Sequence, residues 1–263
     1  LMTSGLRADL PVAFLVPRWP PDAGGLGLAA ARLARGLARH RPVTALVPDA
    51  GLPAGASREA DDGGVRLIRF GARGREATQR GWFELLGARG PFALVHAVYV
   101  SASGFPAVYA ARHLNMPCLL AARGNDLDRD PFRADDQAGL LFALAHADVV
   151  VGVSRELASK ARALGARGQV LAIPNGVATG RFRPVAPPAE LAATLGVDGP
   201  GPLLAFVGEA RPKKGLATML AAAQQVPGAR LWLIGGVRAD GRALVDAAPP
   251  GLVIETPAVD PDD

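Results

Sequence analysis

The sequence predicts an α/β protein: two units of parallel sheet covered by helices on both faces, the second unit shorter than the first. Short apolar runs bounded by Gly and Pro, as buried strands are, alternate with segments of helical periodicity along the whole chain. Such alternation calls for parallel strands joined by crossover helices. About seven strands precede a Pro- and Gly-rich stretch and three follow it. The expected division is residues 1–178, a linker over 179–200, and the first part of a second unit over 201–263.

Taken in order, Pro11-Val-Ala-Phe-Leu-Val is the first strand. A loop with Pro17, Pro20, Pro21, Gly24 and Gly25 ends it, and Leu28 to His40 carries apolar residues at helical spacing. Val43 to Val47 and Val65 to Phe70 read as strands, and Gln79 to Leu86 as a short helix with Trp82, Leu85 and Leu86 on its core side. Phe92 to His96 is a strand, Ser103 to Leu114 a helix, and Pro117 to Ala122 a strand ending in Arg123-Gly124-Asn125-Asp126. A helix over Ala138 to Ala147, a strand from Asp148 to Val153, and a helix capped by Ser154 follow. Val170 to Ile173 closes the first unit with the turn Pro174-Asn175-Gly176. The linker contains Phe182-Arg183-Pro184 and a helical piece over Ala189 to Leu195. The second unit reads as strands at Leu203 to Val207, Arg230 to Ile234 and Leu252 to Glu255, with helices over Gly215 to Gln225 and Gly241 to Ala247 between them.

The 263 residues are 49% apolar and 20% charged, a globular composition with enough apolar mass for a sizeable core. No apolar run approaches the roughly 18 residues of a membrane span, and a signal-like N-terminal core is missing, so a cytoplasmic location is expected. Leu1 precedes Met2, which fits a fragment boundary. The single cysteine, Cys118, lies in an apolar strand, where a buried position is expected and an internal disulfide is excluded. The net charge of +5 comes mostly from arginines spread along the chain, and coding bias accounts for it as well as a partner does. Aromatic and basic residues do not interleave, so nucleic acid is not an expected partner.

Four stretches carry chemistry. Lysine stands at three positions only, and two of them, Lys213 and Lys214, follow Arg211 between a strand and a helix start. Free backbone N–H groups and full positive charges there suit a phosphate, and a solvated basic loop is the alternative. Gly25, Gly27 and Ala30 match the dinucleotide pattern G-x-G-x-x-A, with Asp49 further on as the ribose acid. The fit is poor, because eight residues separate the glycine from its strand and Asp49 lies beyond the second strand. His96, near a strand's carboxyl end, faces either a cleft or the core. Arg123 suits a phosphate or carboxylate and Asp126 suits sugar hydroxyls, unless the two form a local turn network.

Several of these stretches together resemble the retaining glycosyltransferases of family 4: Pro21-Asp-Ala-Gly24-Gly25, Val95-His96-Ala97, Arg123-Gly-Asn-Asp126, Ala147 to Ser154, Ile173-Pro-Asn-Gly-Val177 with Phe182-Arg-Pro184, and Val207-Gly-Glu-Ala-Arg-Pro-Lys-Lys-Gly215. The resemblance covers most of the chain. It implies the GT-B architecture, two Rossmann-like domains, here with the second incomplete. It also implies a glycosyltransferase of the hexosyltransferase type moving a sugar from a nucleotide-diphospho-sugar to an acceptor hydroxyl, with retention of configuration and no protein nucleophile. Arg123, Asp126 and Lys214 then match catalytic positions, while Gly24, Gly25, Arg211 and Lys214 match the donor-phosphate contacts. His96, Asn175 and Glu209 fall at cleft positions. No metal or other cofactor is implied, since Lys and Arg supply the charge that neutralises the departing diphosphate.

The chain departs from the pattern in four places. Glu209 stands where the family has an arginine, and Arg211 is the expected substitute. Arg123 opens a turn that many members begin with histidine, and Ala178 replaces a frequent aspartate. The paired glutamates that hold the donor sugar and ribose have no counterpart before Asp263. A truncated chain, its own activity open, is therefore expected, with a sugar or lipid-linked acceptor as partner. Peripheral membrane contact and a homo-oligomer stay open. The competing readings are a non-catalytic sugar-nucleotide or phosphate-binding module completed by a partner chain, and a nicotinamide-dependent oxidoreductase using Gly25 and Gly27.

Overall fold

The computed structural model describes residues 7, 9–22, 24–185 and 201–257. It divides into two units, Leu1–Val177 and Ala178–Asp263. In the first, the strands are β1 (Val12–Leu15), β2 (Val43–Asp49), β3 (Ser57–Asp62), β4 (Val65–Gly71), β5 (Leu94–Val98), β6 (Cys118–Ala122), β7 (Val149–Gly152) and β8 (Gln169–Ala172). They form one sheet in the order β3-β4-β2-β1-β5-β6-β7-β8, parallel throughout except that β3 runs antiparallel to β4. The helices are α1 (Gly25–Ala38), α2 (Gly74–Arg89), α3 (Phe105–His113), α4 (Asn125–Asp128), α5 (Ala134–His146) and α6 (Arg155–Ala163).

Strand periodicity places the core on both faces of this sheet. Val12, Phe14 and Val16 project with Val43, Ala45 and Val47 toward Ala30, Ala31 and Ala34 of α1. The intervening Ala13, Leu15 and Leu46 join Ile68, Trp82, Leu120, Leu140 and Leu144 on the other face. Alanines let α1 lie close on its strands, and Gly27 lets it lie closer still: a Cβ there would stand 3.0 Å from the Arg18 carbonyl oxygen. Cys118 is buried in β6, as the sequence predicts. Ser154 caps α6, its Oγ accepting from Leu157 N at 3.1 Å.

The second unit is a three-stranded parallel sheet in the order β11-β10-β9, from β9 (Leu203–Val207), β10 (Arg230–Ile234) and β11 (Val253–Thr256). Helices α7 (Leu216–Gln224) and α8 (Ala239–Asp246) connect them. Phe206, Leu216, Leu220, Leu231, Leu233, Val245 and Leu252 form its own core.

The α/β class and parallel sheets stand as expected. The first sheet has one strand more than the sequence suggests: β3, Ser-Arg-Glu-Ala-Asp-Asp, is an exposed edge strand with no apolar pattern, turned back on β4 through Gly63 and Gly64 at positive φ. Its charges suit an edge. Helix α2 begins at Gly74, ahead of the predicted Gln79, and α5 at Ala134, ahead of Ala138. The predicted helix at Ser103 is preceded by a π-helical turn, Val100–Gly104, that runs into α3. The helical piece expected over 189–195 lies outside the described residues.

Candidate active site

Strand order in the first unit reverses between β1 and β5: the chain leaves β1 toward β2 on one side and later returns to β5 on the other. In open α/β sheets, ligands collect outside the strand carboxyl ends at such a point. The loops following β1 and β5 meet that description, and the loop following β6 is bonded to the second of them.

The loop after β1 is pinned on its inner side. Trp19 has no solvent exposure, and its indole Nε1 donates to Asp62 Oδ2 at 2.6 Å. Arg35 of α1 grips the same carboxylate with Nε at 3.1 Å and Nη2 at 2.8 Å. Buried Arg69 of β4 donates from Nη2 to the Pro20 carbonyl at 2.6 Å and the Trp19 carbonyl at 3.3 Å. Burial pushes the Asp62 carboxyl up, but Arg35 and Trp19 outweigh it and hold the group below the ordinary carboxylate range. On its outer side the loop is bare. Gly24, at φ 128, precedes α1 and Gly25 opens it, and a Cβ at either would meet nothing within 4 Å. The helix start thus offers backbone N–H groups to a ligand that can approach closely.

At β5, His96 is 9% exposed and lies against Phe14 of β1, ring centroids 4.4 Å apart. Its Nε2 is buried without a hydrogen-bond partner. Burial, reinforced by the nearby Arg123 guanidinium, lowers its pKa to about 4, so the ring is neutral at pH 7. Beyond β5 the chain turns at Tyr99, whose φ of 76 is unusual for a non-glycine residue. Its carbonyl accepts from Ala102 N and Ser103 N, both at 3.1 Å, which starts the π-helical turn. Burial foremost, then Asp130 and Asp126, push its phenol upward.

Asp126 fixes this turn to the next strand. It has no solvent exposure, and its carboxylate accepts from Val100 N at 2.9 Å, Arg123 N at 2.9 Å and Gly124 N at 2.7 Å. Burial raises its pKa above the ordinary carboxylate range despite these amides. The carboxylate oxygens that the sequence reading assigns to ligand hydroxyls accept from backbone, and Asp126 ties the turn after β5 to the loop after β6. Arg123, half-buried, makes no hydrogen bond or salt bridge through its guanidinium among the described residues. Burial lowers its pKa and Asp126 raises it in part. Arg123 and His96 thus stand near each other at the carboxyl ends of β6 and β5. Asn175 is exposed in the loop after β8.

In the second unit the loop after β9 holds the other named residues. Gly208, at φ 121, and Ala210 donate backbone N–H bonds to Ile234 and Gly236, both at 2.8 Å, so the exits of β9 and β10 run side by side. Gly235 permits this, because a Cβ there would lie 2.5 Å from the Gly208 carbonyl oxygen. Glu209 pairs with Arg211 at 3.4 Å, and Arg211 Nε is buried without a hydrogen-bond partner. Pro212–Lys214 is a 3-10 turn ending at Gly215, φ 78, from which α7 starts. Lys214 is exposed and makes no ion pair among the described residues. The basic cluster precedes a helix start, as its spacing predicts.

The dinucleotide reading finds other uses for its residues. Gly25 and Gly27 lie within α1, not in a turn before it, and Gly27 serves the contact with Arg18. Asp49 accepts from Gly51 N at 2.8 Å and pairs with Arg58 at 3.0 Å. Sequence reasoning passed over Trp19, Arg69 and Tyr99. A tryptophan inside a Pro-rich loop and an arginine inside an apolar strand were the available signals.

A model of the glycosyl transferase 4-like domain matches residues 24–176. The chain belongs to that family. The match includes Gly24, Gly25, His96, the Arg123–Asp126 turn and Asn175. Comparison with solved structures places this glycosyltransferase in the GT-B fold. Sucrose-phosphate synthase from Thermosynechococcus elongatus is similar over 95% of this chain and 71% of its own, with 23% identity and a TM-score of 0.68. HepE from Anabaena, in complex with UDP and glucose, is similar over 95% and 70%, with 15% identity and a TM-score of 0.70. The trehalose 6-phosphate synthase of Burkholderia multivorans is similar over 96% and 74%, with 15% identity and a TM-score of 0.58. At these identities the likeness is one of fold. No curated protein matches the sequence. Among the described residues, no helix is long and apolar enough to cross a membrane.

Proposed function

We propose that this glycosyltransferase moves a sugar from a nucleotide-diphospho-sugar to an acceptor hydroxyl with retention of configuration. The observation that carries the reading is the turn after β9, where exposed Lys214 and partly buried Arg211 precede α7 in a chain of the glycosyl transferase 4-like family. HepE, similar in fold, has been determined with UDP-glucose, which supports a uridine nucleotide as the first donor to try.

Breaking the bond between the sugar C1 and the diphosphate oxygen leaves both bonding electrons on that oxygen. Lys214 and Arg211 are placed to neutralise the growing charge, and Glu209 holds Arg211 while moderating its charge. The amides at Gly24 and Gly25 are suited to a phosphate oxygen. The acceptor hydroxyl adds to C1 on the face the leaving group departs from and passes its proton to the leaving phosphate, so no protein nucleophile takes part. Arg123 and neutral His96 border the carboxyl ends of β6 and β5, where they orient polar groups of the bound sugar. The protein's cations supply the charge, and no cofactor enters the scheme.

Calorimetric titration with UDP, UDP-glucose and the other nucleoside diphosphates tests the donor side. One nucleotide is expected to bind selectively, with at least a tenfold loss in Lys214→Ala and a comparable loss in Arg211→Ala. Equal affinity of both variants and the wild type removes the assigned phosphate contacts.

A further inference from the structure

A cavity of ≈490 Å3 opens in the first unit at the carboxyl ends of β1, β2 and β4, lined among others by Arg18, Asp22, Asp49, Arg69, Ala72 and Thr78. Its two carboxylates are already engaged. Asp49 holds Arg58 and the Gly51 amide, and Asp22 accepts from Trp19 N at 3.3 Å. Its two guanidinium groups keep open hydrogen-bond donors. Arg69 is 8% exposed, yet only its Nη2 donates, to the Trp19 and Pro20 carbonyls. Its Nη1 forms a long ion pair with Asp22 at 3.9 Å, beyond hydrogen-bond distance, and Nε donates to no described residue, so both N–H groups are open to solvent. Arg18, on the loop that Arg69 pins, makes no hydrogen bond or salt bridge among the described residues. A guanidinium with donors open to a cavity can bind a ligand that brings charge and acceptors, and fixing it to two carbonyls sets its fork in advance.

We propose that this cavity binds the phosphate group of a phosphorylated acceptor, with Arg69 at its base and Arg18 at its mouth. The inference rests on the glycosyltransferase reading for calling the ligand an acceptor, whereas the anion site stands on its own geometry. Two guanidinium groups match a phosphate monoester of nearly two charges better than a carboxylate of one. Thr78, also on the wall, has its hydroxyl donating to the Gly74 carbonyl at 2.8 Å, which leaves oxygen lone pairs for a ligand hydroxyl. The phosphate source is either a soluble sugar phosphate or a lipid headgroup. A second hollow of ≈1050 Å3, lined by Leu52, Phe70 and Leu85 and also by Arg73, Arg80, Glu84 and Arg89, shares Ala72 with this one.

The test uses the full chain labelled with 5-fluorotryptophan, since Trp19 follows Arg18 and accepts from Arg69 through its carbonyl, while Trp82 and Trp232 have other partners. Inorganic phosphate and glucose 6-phosphate are expected to shift the Trp19 signal and leave Trp232 unmoved, with glucose 6-phosphate at least tenfold tighter than glucose or glucuronate. Arg18→Ala, an exposed change that leaves the loop's anchors in place, is expected to weaken binding at least tenfold. Arg69→Lys, which keeps charge and loses the fork, is expected to do the same, and Lys214→Ala to leave it unchanged. Binding of phosphatidic acid vesicles over phosphatidylcholine vesicles, lost in Arg18→Ala, assigns the lipid source, and response to glucose 6-phosphate alone assigns the soluble one. Equal affinity for glucose and glucose 6-phosphate, equal affinity for glucuronate, or full binding by Arg18→Ala overturns the proposal. If UDP binds and the phosphate arm fails, only this inference falls. If the phosphate arm succeeds and no nucleotide binds, the cavity stands and the donor reading falls.

Discussion

His96 is buried beside Phe14 with a ring nitrogen that has no partner, and the one charge acting on it, Arg123, has its own sign. Both burial and that charge favour the neutral ring, so its pKa falls from 6.5 to about 4. In the unfolded chain the same ring titrates near 6.5. Above that pH both states hold it neutral and it contributes no pH dependence. As pH falls from 6.5 toward 4 the unfolded state takes up the proton first, and stability is lost across that window, by about 3 kcal/mol at most. Replacing His96 with leucine is expected to flatten the unfolding free energy between pH 6.5 and 4, measured by urea denaturation at each pH. An unchanged slope means the ring is solvated in the folded protein. The sequence places His96 near a strand's carboxyl end but leaves open whether it faces cleft or core. Only its strand neighbours decide that, and β1 is its neighbour through a crossover no local pattern reveals.

At the scale of elements, one carboxylate holds together two turns that arise from different strands. Asp126, after β6, accepts from Val100 of the π-helical turn after β5 and from Arg123 and Gly124 of its own loop. Asp126→Ala leaves three amide donors without that acceptor, Val100 N among them in a buried setting, and is expected to cost about 3 kcal/mol or more by chemical denaturation. Asp126→Asn, which keeps the shape and one carbonyl oxygen but turns an NH2 toward the amides, is expected to cost about half as much. A loss below about 1 kcal/mol for the alanine variant means the loops are held by other contacts. This site was half legible. The Arg-Gly-Asn-Asp cluster marks the loop, and a local turn network was an open alternative to ligand binding. The partner at Val100 was hidden, because a contact between residues 26 apart has no local periodicity. The edge strand β3 was hidden for another reason: its residues are charged, since its position at the sheet edge demands charge and not an apolar face. Buried strands announce themselves by composition, and exposed ones do not.

At the scale of the molecule, each unit has its own apolar core, around Ala13, Leu15 and Leu46 in the first and around Leu216, Leu231 and Leu233 in the second. The alternation of strands and helices made both sheets legible, since every crossover strand had to be apolar on two faces. Each unit also has a tryptophan with a defined partner: Trp82 Nε1 donates to the Leu46 carbonyl at 2.9 Å, and Trp232 Nε1 to Thr256 Oγ1 at 2.8 Å. A ligand that binds only the folded form of one unit stabilises that unit by mass action, by about 2.7 kcal/mol at a hundredfold excess over Kd. In a domain of fewer than about 100 residues each kcal/mol moves the midpoint by about 4–8 °C. UDP at that excess is therefore expected to raise the midpoint reported by the fluorotryptophan signal of Trp232 by at least about 10 °C, more than it raises that of Trp82. The Lys214→Ala variant is expected to lose most of the shift at the same UDP concentration. A rise confined to Trp82 assigns the nucleotide to the first unit and refutes the role given to the turn after β9. Equal rises at both signals refute the leading role given to the turn after β9.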